Sequence, residues 1–596
     1  RQAHMFLETE GGVGQLKPDG MLYIWCPAQA AFRDRLQLAR LLGWDPERIR
    51  EFSSPSGGAF GGKDELTVQH YLALLALHTG GRPVKIHLSR EESMVAGIKR
   101  HPFMVHMRTA AAADGTFLAQ EAFIVADTGA YASLGGPVLN LGIEHIGGVY
   151  RFPSLNVEGY CVYTNNGISG AFRGFGVPQV LVALESNIDE IARRLGRDPM
   201  DLRKQNLIQR GDLSAIGNPM TTGVGNQAVL AALEDSPTWK ERASKKAGAS
   251  EPWKKRGVGI GLCMQGLGLG KGIPDYGAAV IELLPGGKFK VGISIQEIGT
   301  GNQTAYAQFA AEALGCDVAD VEVIQGDTGY SADSGTVTAT RSVFTGGKAI
   351  QITAEKMVAL RAECGVSTYA DAYAIAKERG LETKVRGSFL WPEAEEEIPG
   401  AFGLPHHIYG YGAQAALVEV DTLTGEVQVL EVASVVDTGK SINPMGVEGQ
   451  SEGGVAQGVG LALMEDTVMK EGRFLNPNMS NYIIPTAGDV PKVETFIVEV
   501  PEEKGPSGAK GMGEVPIVPT MPAVFGAIYD AVGVQMFRAP ATPERVFRAL
   551  QGEPSEDTPE LRNRIAAARA AGLAVQLHQT EGEGYAQPKG PDNGEA

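Results

Sequence analysis

Cysteine is scarce. The 596 residues hold five (Cys26, Cys161, Cys263, Cys316 and Cys364), scattered and without a CxxC pair. That spacing argues against a disulfide framework and equally against an iron–sulfur or structural zinc site in this chain. Positive charge is also in deficit: 53 Lys and Arg stand against 70 Asp and Glu, a formal net charge of −17. Such a balance repels phosphate backbones and anionic lipid, which makes nucleic acid and membrane surfaces poor partners. No unbroken apolar run reaches the roughly 18 residues of a bilayer-spanning helix. The opening RQAHMFLETE lacks the basic start and apolar stretch of a secretory signal, so a cytoplasmic location is the default expectation. No GxGxxG follows a strand pattern, and a Rossmann domain is not indicated.

Glycine, by contrast, is abundant: 78 residues, about twice the usual ~7%. The Gly-Gly pairs are dispersed among hydrophobic segments rather than gathered in a linker. Glycine used in this way lets backbone bend through positive φ or press against a ligand. The length predicts two or more domains. Phe32, Leu36, Ala39 and Leu42 mark a helix face that Gly43 terminates, and Leu181, Leu184, Ile188, Ile191 and Leu195 mark another ending at Gly196. Residues 83–88 and 415–420 read as strands. The polar, charged stretch 241–256 reads as a linker between halves 1–240 and 257–551. Residues 552–596 read as a C-terminal extension, partly disordered from 578.

Six short stretches stand out in chain order: 56–64 (SGGAFGGKD), 171–179 (AFRGFGVPQ), 296–301 (QEIGTG), 338–342 (TATRS), 454–458 (GVAQG) and 510–516 (KGMGEVP). Each alone reads as well as a structural turn. A glycine-rich turn that opens a helix also offers free N–H groups to an anion or oxo group. Glu514, framed by Gly513 and Pro516, sits where the backbone is held in a special conformation.

Together and in this order, the six stretches resemble the large, molybdopterin-binding subunit of the xanthine dehydrogenase/aldehyde oxidase family of molybdenum hydroxylases. The wording GGAFGGKDEL and TNNGISGAFRGFG is similar to its bacterial xanthine or hypoxanthine dehydrogenase-like branch. The likeness runs from Gln2 to about Leu550. It implies an α+β fold: a two-part molybdenum-cofactor-binding domain with the cofactor at the interface of its halves. By the same likeness Gln29, Phe60, Arg173 and Ala339 neighbour the molybdenum. Gly58, Gly61, Gly299, Thr300, Thr340, Arg341 and Gln457 fall in the loops that hold the cofactor, with Thr300 standing where the family often has glutamine. The cytosine dinucleotide form of molybdopterin is the one implied for a bacterial member.

The activity implied is oxidation of a purine or other N-heteroaromatic ring with water as oxygen donor. Hydride would pass to a molybdenum sulfido ligand, and Glu514 would act as the base that takes the last proton of the attacking oxygen. Asp64, Leu141 and Phe175 fall at substrate positions. Asp64 stands where purine-oxidising relatives carry glutamate, and Leu141 where they carry arginine, His145 being the nearby group that can substitute. Phe175 matches an aromatic that stacks flat substrates. Electrons would leave through a [2Fe-2S] subunit and an FAD subunit, making a hetero-oligomer. The absence of cysteine from GISGAFRGFG argues against a carbon monoxide dehydrogenase. An aldehyde oxidoreductase of the same family and a non-catalytic fragment that only holds the cofactor remain as alternatives. Because the QxHxFLE segment stands at the very start, the family's small N-terminal region is expected to be truncated or on another chain.

Overall fold

Gly257, Gly259 and Gly261 alternate along the strand Lys254–Leu267 and so share one of its faces. A Cβ on them would meet Ala527 O at 2.1 Å, Ala523 O at 2.2 Å and Pro519 O at 2.5 Å. Only glycine therefore lets the helix Thr520–Val532 lie with its backbone against the strand. That helix is the centre of the second half. The stretch Val515–Val532 is long and apolar enough to cross a membrane, yet 72% of it is buried inside the protein, where Val524, Ala527 and Ile528 are fully enclosed.

The computed structural model describes residues 1–391 and 405–553. Four main sheets carry the fold. The first runs Ile49–Phe52, Leu22–Trp25, Gly11–Leu16, Val84–His87, with helices Ala31–Leu42 and Gln69–Leu77 packed on it. The second pairs Phe103–Ala111 antiparallel with Phe117–Gly129, which in turn runs parallel to Ser154–Tyr163. Helices Gly135–Glu144 and Val177–Leu195 cover it. The third is ordered Val321–Gln325, Phe289–Ile293, Tyr276–Leu283, Lys384–Leu390 under helices Asn302–Leu314 and Ser342–Glu363. The fourth is ordered Lys492–Val498, Val427–Asp437, Ile408–Asp421, Lys254–Leu267. Helices and sheets are mixed, as an α+β reading requires, and parallel and antiparallel pairs coexist within single sheets.

Both helix ends expected at glycine lie there: Gly43 and Gly196 adopt left-handed caps at φ 65°. The 241–256 stretch carries a short helix, Arg242–Ala247, and the opening of the strand from Lys254; Lys245 in it pairs with Glu431 at 2.7 Å. The extension expected from 552 lies, from residue 554 on, outside the described residues.

One of the six stretches needs correction. Residues 454–458 form no loop but the middle of the 20-residue helix Pro444–Leu463. Its glycines serve close packing: a Cβ on Gly454 would meet Pro516 Cβ at 2.6 Å, and one on Gly458 would meet Thr520 Cβ at 2.4 Å. Spaced four apart, they form a helix face on which the segment after Glu514 rests.

Candidate functional site

Between the two halves lies a cavity of about 670 Å³, a size typical of cofactor and small-molecule sites. Its walls come from the N-terminal segment, all six stretches (454–458 as part of the Pro444–Leu463 helix) and the loop before that helix. Backbone strain is concentrated here. Of eight non-glycine residues with positive φ among the described residues, Met5, Phe60, Phe175, Ala339 and Thr340 line this cavity. Each such residue costs about 1–2 kcal/mol, and strain of this kind persists only where the surroundings over-determine it.

The hydrogen bonds show what does so. Gln29, 2% exposed, donates from Nε2 to Val337 O at 2.6 Å and accepts from Gly61 N (3.1 Å) and Lys63 N (3.3 Å). One amide thus ties the 56–64 loop to Val337, the residue just before the 338–342 stretch. Phe60 O accepts from Arg173 N at 2.9 Å, and a Cβ on Gly61 would stand 2.7 Å from Ala171 O, so the first two stretches touch. The Arg173 guanidinium donates to Gly513 O (2.5 Å), Gln457 Oε1 (3.3 Å) and Gln450 Oε1 (3.0 Å). Burial pushes Arg173 down to about 10, the Glu514 carboxylate acting the other way. Glu514 Oε1 accepts from Gly174 N at 2.9 Å and Oε2 from Thr340 Oγ1 at 2.8 Å. Gln29, Gly58, Phe60, Gly61, Arg173, Phe175, Gly299, Thr300, Ala339, Thr340, Gln457 and Glu514 all face this one space.

Three expected residues do not. Asp64 is 3% exposed and outside the lining; its Oδ1 accepts from Thr336 Oγ1 at 3.0 Å and pairs with Arg33 at 3.2 Å. A buried carboxylate needs such partners, and its charge is spent on them. Leu141, 4% exposed, packs in the core with Phe117, Val149 and Tyr150. His145 offers no replacement, since Nδ1 is bonded to Leu141 O and Nε2 accepts from Gly266 N. Arg341 is turned away too, donating to Ser334 O and Thr336 O at 2.9 Å and pairing with Asp275 at 2.7 Å. It is a structural clamp behind the loop.

The 296–301 stretch also departs from expectation. It opens the helix Asn302–Leu314, but the N–H groups of Gly299, Thr300 and Gly301 donate to Glu297 Oε1 at 2.8, 2.6 and 3.0 Å. The chain caps this helix with its own carboxylate, so those groups are not free for an external anion.

Donors that motif reading missed stand elsewhere. Asn302 Nδ2, Thr438 Oγ1 and Ser441 Oγ are buried atoms on the wall without a partner among the described residues, and Lys440, its ammonium 3.6 Å from the Glu499 carboxylate, lies between the last two. A buried donor left open is costly unless a ligand satisfies it, and this set suits phosphate oxygens. The one sequence signal was the run Asp437-Thr438-Gly439-Lys440-Ser441 ahead of the Asn443 cap of the next helix. Among the described residues no three His, Cys, Asp or Glu stand together so as to chelate a metal ion.

Two family profiles, each described as a molybdopterin cofactor-binding domain, match residues 1–207 and 232–491. The chain is 37% identical over 570 residues to a probable xanthine dehydrogenase subunit of Bacillus subtilis, covering 92% of this chain and 75% of that protein. Among solved structures, the aldehyde oxidoreductase from Desulfovibrio gigas superposes with a TM-score of 0.87 at 30% identity, over 92% of this chain and 60% of that one. Quinoline 2-oxidoreductase from Pseudomonas putida 86 superposes with a TM-score of 0.84 at 27% identity, over 93% and 75%.

Proposed function

Because the chain belongs to the xanthine dehydrogenase family of molybdopterin-dependent oxidoreductases, we propose that it is the molybdenum-bearing part of a hydroxylase in which Glu514 is the catalytic base. One observation carries this reading: the Glu514 carboxylate reaches into the cavity where Gln29, Phe60, Arg173 and Ala339 converge. When bound, the molybdenum–pterin group supplies the oxygen transfer and takes up the electron pair removed from the substrate. Asn302, Thr438, Lys440 and Ser441 would hold its phosphate-bearing end, with the cytosine dinucleotide form as the expected tail. Gln29 and Arg173 hold the surrounding loops in register.

Glu514 is set for its task by its partners. Donors at 2.9 and 2.8 Å, one on each oxygen, hold the carboxylate in a fixed place, and a general base has to be held within reach of the proton it takes. Phe60 and Phe175, both held at positive φ, present aromatic surface suited to a flat substrate. A planar N-heteroaromatic ring is the substrate class proposed. The second reading, an aldehyde, is favoured by one observation: Asp64 and Leu141, the positions matched to purine-orienting groups, face away from the cavity. Electrons would leave through [2Fe-2S] and FAD subunits in a cytoplasmic hetero-oligomer.

The test is Glu514→Gln in the assembled enzyme. Molybdenum content should equal that of the wild type, while reduction of an artificial electron acceptor with purines, N-heterocycles or aldehydes is abolished. Turnover near the wild-type rate would refute the assignment. A chain that binds no molybdenum would refute the wider reading.

A further inference from the structure

Ala339 and Thr340 are consecutive residues in the left-handed region, at φ 48° and 55°. For a β-branched side chain that conformation is a genuine outlier, so the neighbourhood has to impose it. Behind the pair, the Arg341 guanidinium grips Ser334 O, Thr336 O and Asp275. Beside it, Gly268 N donates to Ala339 O at 2.9 Å. In front, Gly511 leaves no room: a Cβ there would fall 2.0 Å from Thr340 O and 2.7 Å from Thr340 Cγ2. The loop bearing Glu514 therefore rests directly on the Thr340 backbone and methyl.

With its methyl against Gly511, Thr340 turns its hydroxyl to Glu514. It donates to Oε2 at 2.8 Å and accepts from the Glu514 backbone N–H at 3.3 Å. One hydroxyl can do both, having one proton and two lone pairs. Gly174 N occupies the other carboxylate oxygen at 2.9 Å. Serine would supply the same hydrogen bonds with less backbone strain. The methyl packed on Gly511 is the feature that makes threonine the fitting residue.

We infer that Thr340 is a positioning residue for Glu514: the strained Ala339–Thr340 pair exists to hold a hydroxyl where it fixes the carboxylate in one rotamer. The inference rests on the reading of Glu514 as the base. A general base has to point along the line of the proton it takes, and small misplacements at a reacting centre cost up to about a hundredfold in rate.

The experiment compares Thr340→Ser, which keeps the hydroxyl, with Thr340→Ala, which removes it while relieving the β-branch strain. The Glu514 carboxylate band is isolated as the infrared difference between each purified protein and its Glu514→Gln derivative. We expect Thr340→Ala to shift and broaden the band, and Thr340→Ser to leave it at the wild-type frequency. In the holoenzyme, assayed by dye reduction with whichever of hypoxanthine or benzaldehyde the wild type oxidises, kcat should fall about ten- to a hundredfold in Thr340→Ala with KM within about twofold. Thr340→Ser should stay within about threefold. A wild-type band in Thr340→Ala, or a serine variant as impaired as the alanine one, overturns the inference. A fully active Glu514→Gln enzyme would instead sink the base assignment, and the infrared comparison would still decide whether Thr340 orients that carboxylate.

Discussion

Lys510 begins the loop that carries Glu514, and its ammonium is sealed in the protein. It pairs with Asp437 Oδ2 at 2.6 Å, both side chains 0% exposed, and donates to Gly223 O at 2.5 Å. Replacing it with methionine keeps the stem and removes the charge. Breaking a buried pair from one side costs about 3–5 kcal/mol, because the remaining charge is stranded. Here the lower figure applies, since Asp437 Oδ1 keeps the N–H groups of Gly439 (2.9 Å) and Val500 (3.2 Å). A loss of ~3 kcal/mol corresponds to about a 150-fold rise in the opening equilibrium. In a chain of this size a single global unfolding free energy is poorly defined, so a local assay is required. Hydrogen exchange of peptides covering 437–443 and 508–514 reads the opening of the two loops that the pair staples. Lys510→Met should accelerate both by about two orders of magnitude. Adding Asp437→Asn should restore much of the protection, because the stranded charge is gone. Acceleration below tenfold, or a double variant worse than the single, would refute the argument that a buried charge pair holds these loops together.

Two further outcomes follow from the same kind of reasoning. Gly259→Ala places a methyl 2.2 Å from both Ala523 O and Ala527 N. These are backbone atoms of a helix that cannot yield, so a cost of about 3 kcal/mol is expected; a thermal midpoint within a degree of the wild type would contradict the close approach. Burial pushes the Glu465 carboxyl up from 4.5 to about 7, with Tyr482 OH at 2.5 Å and Gln2 Nε2 at 2.9 Å acting the other way. Between those values the unfolded chain releases this proton while the native chain keeps it. Stability is thus fully present below pH 4.5, falls as the pH rises toward 7 and is level above. Glu465→Gln should remove that slope, worth on the order of 3 kcal/mol, in thermal midpoints compared at pH 5 and pH 8; parallel pH profiles for the two proteins would count against it.

Much of the α+β fold was legible in residue patterns, because local rules wrote those parts. Helical spacing with a following glycine placed the ends at Gly43 and Gly196, where a left-handed cap needs no Cβ. The same local reading failed at 454–458, since glycines four apart serve a helix packing face as well as they serve a loop, and only the position of Pro516 and Thr520 distinguishes the two. Ordered motifs, read through their family likeness, also picked out residues that meet in one cavity.

Which groups at that cavity are free was decided by tertiary structure alone. Thr336 lies 272 positions from Asp64, and Asp275 lies 66 from Arg341, so no local rule announces that these charges are already satisfied. Glu297 is the instructive contrast: it stands two residues before Gly299, yet sequence cannot tell whether a nearby carboxylate turns back onto the helix start or out to solvent. Composition and periodicity set which elements form. Long-range partners set which polar atoms remain unsatisfied, and an unsatisfied buried donor is what a ligand can claim.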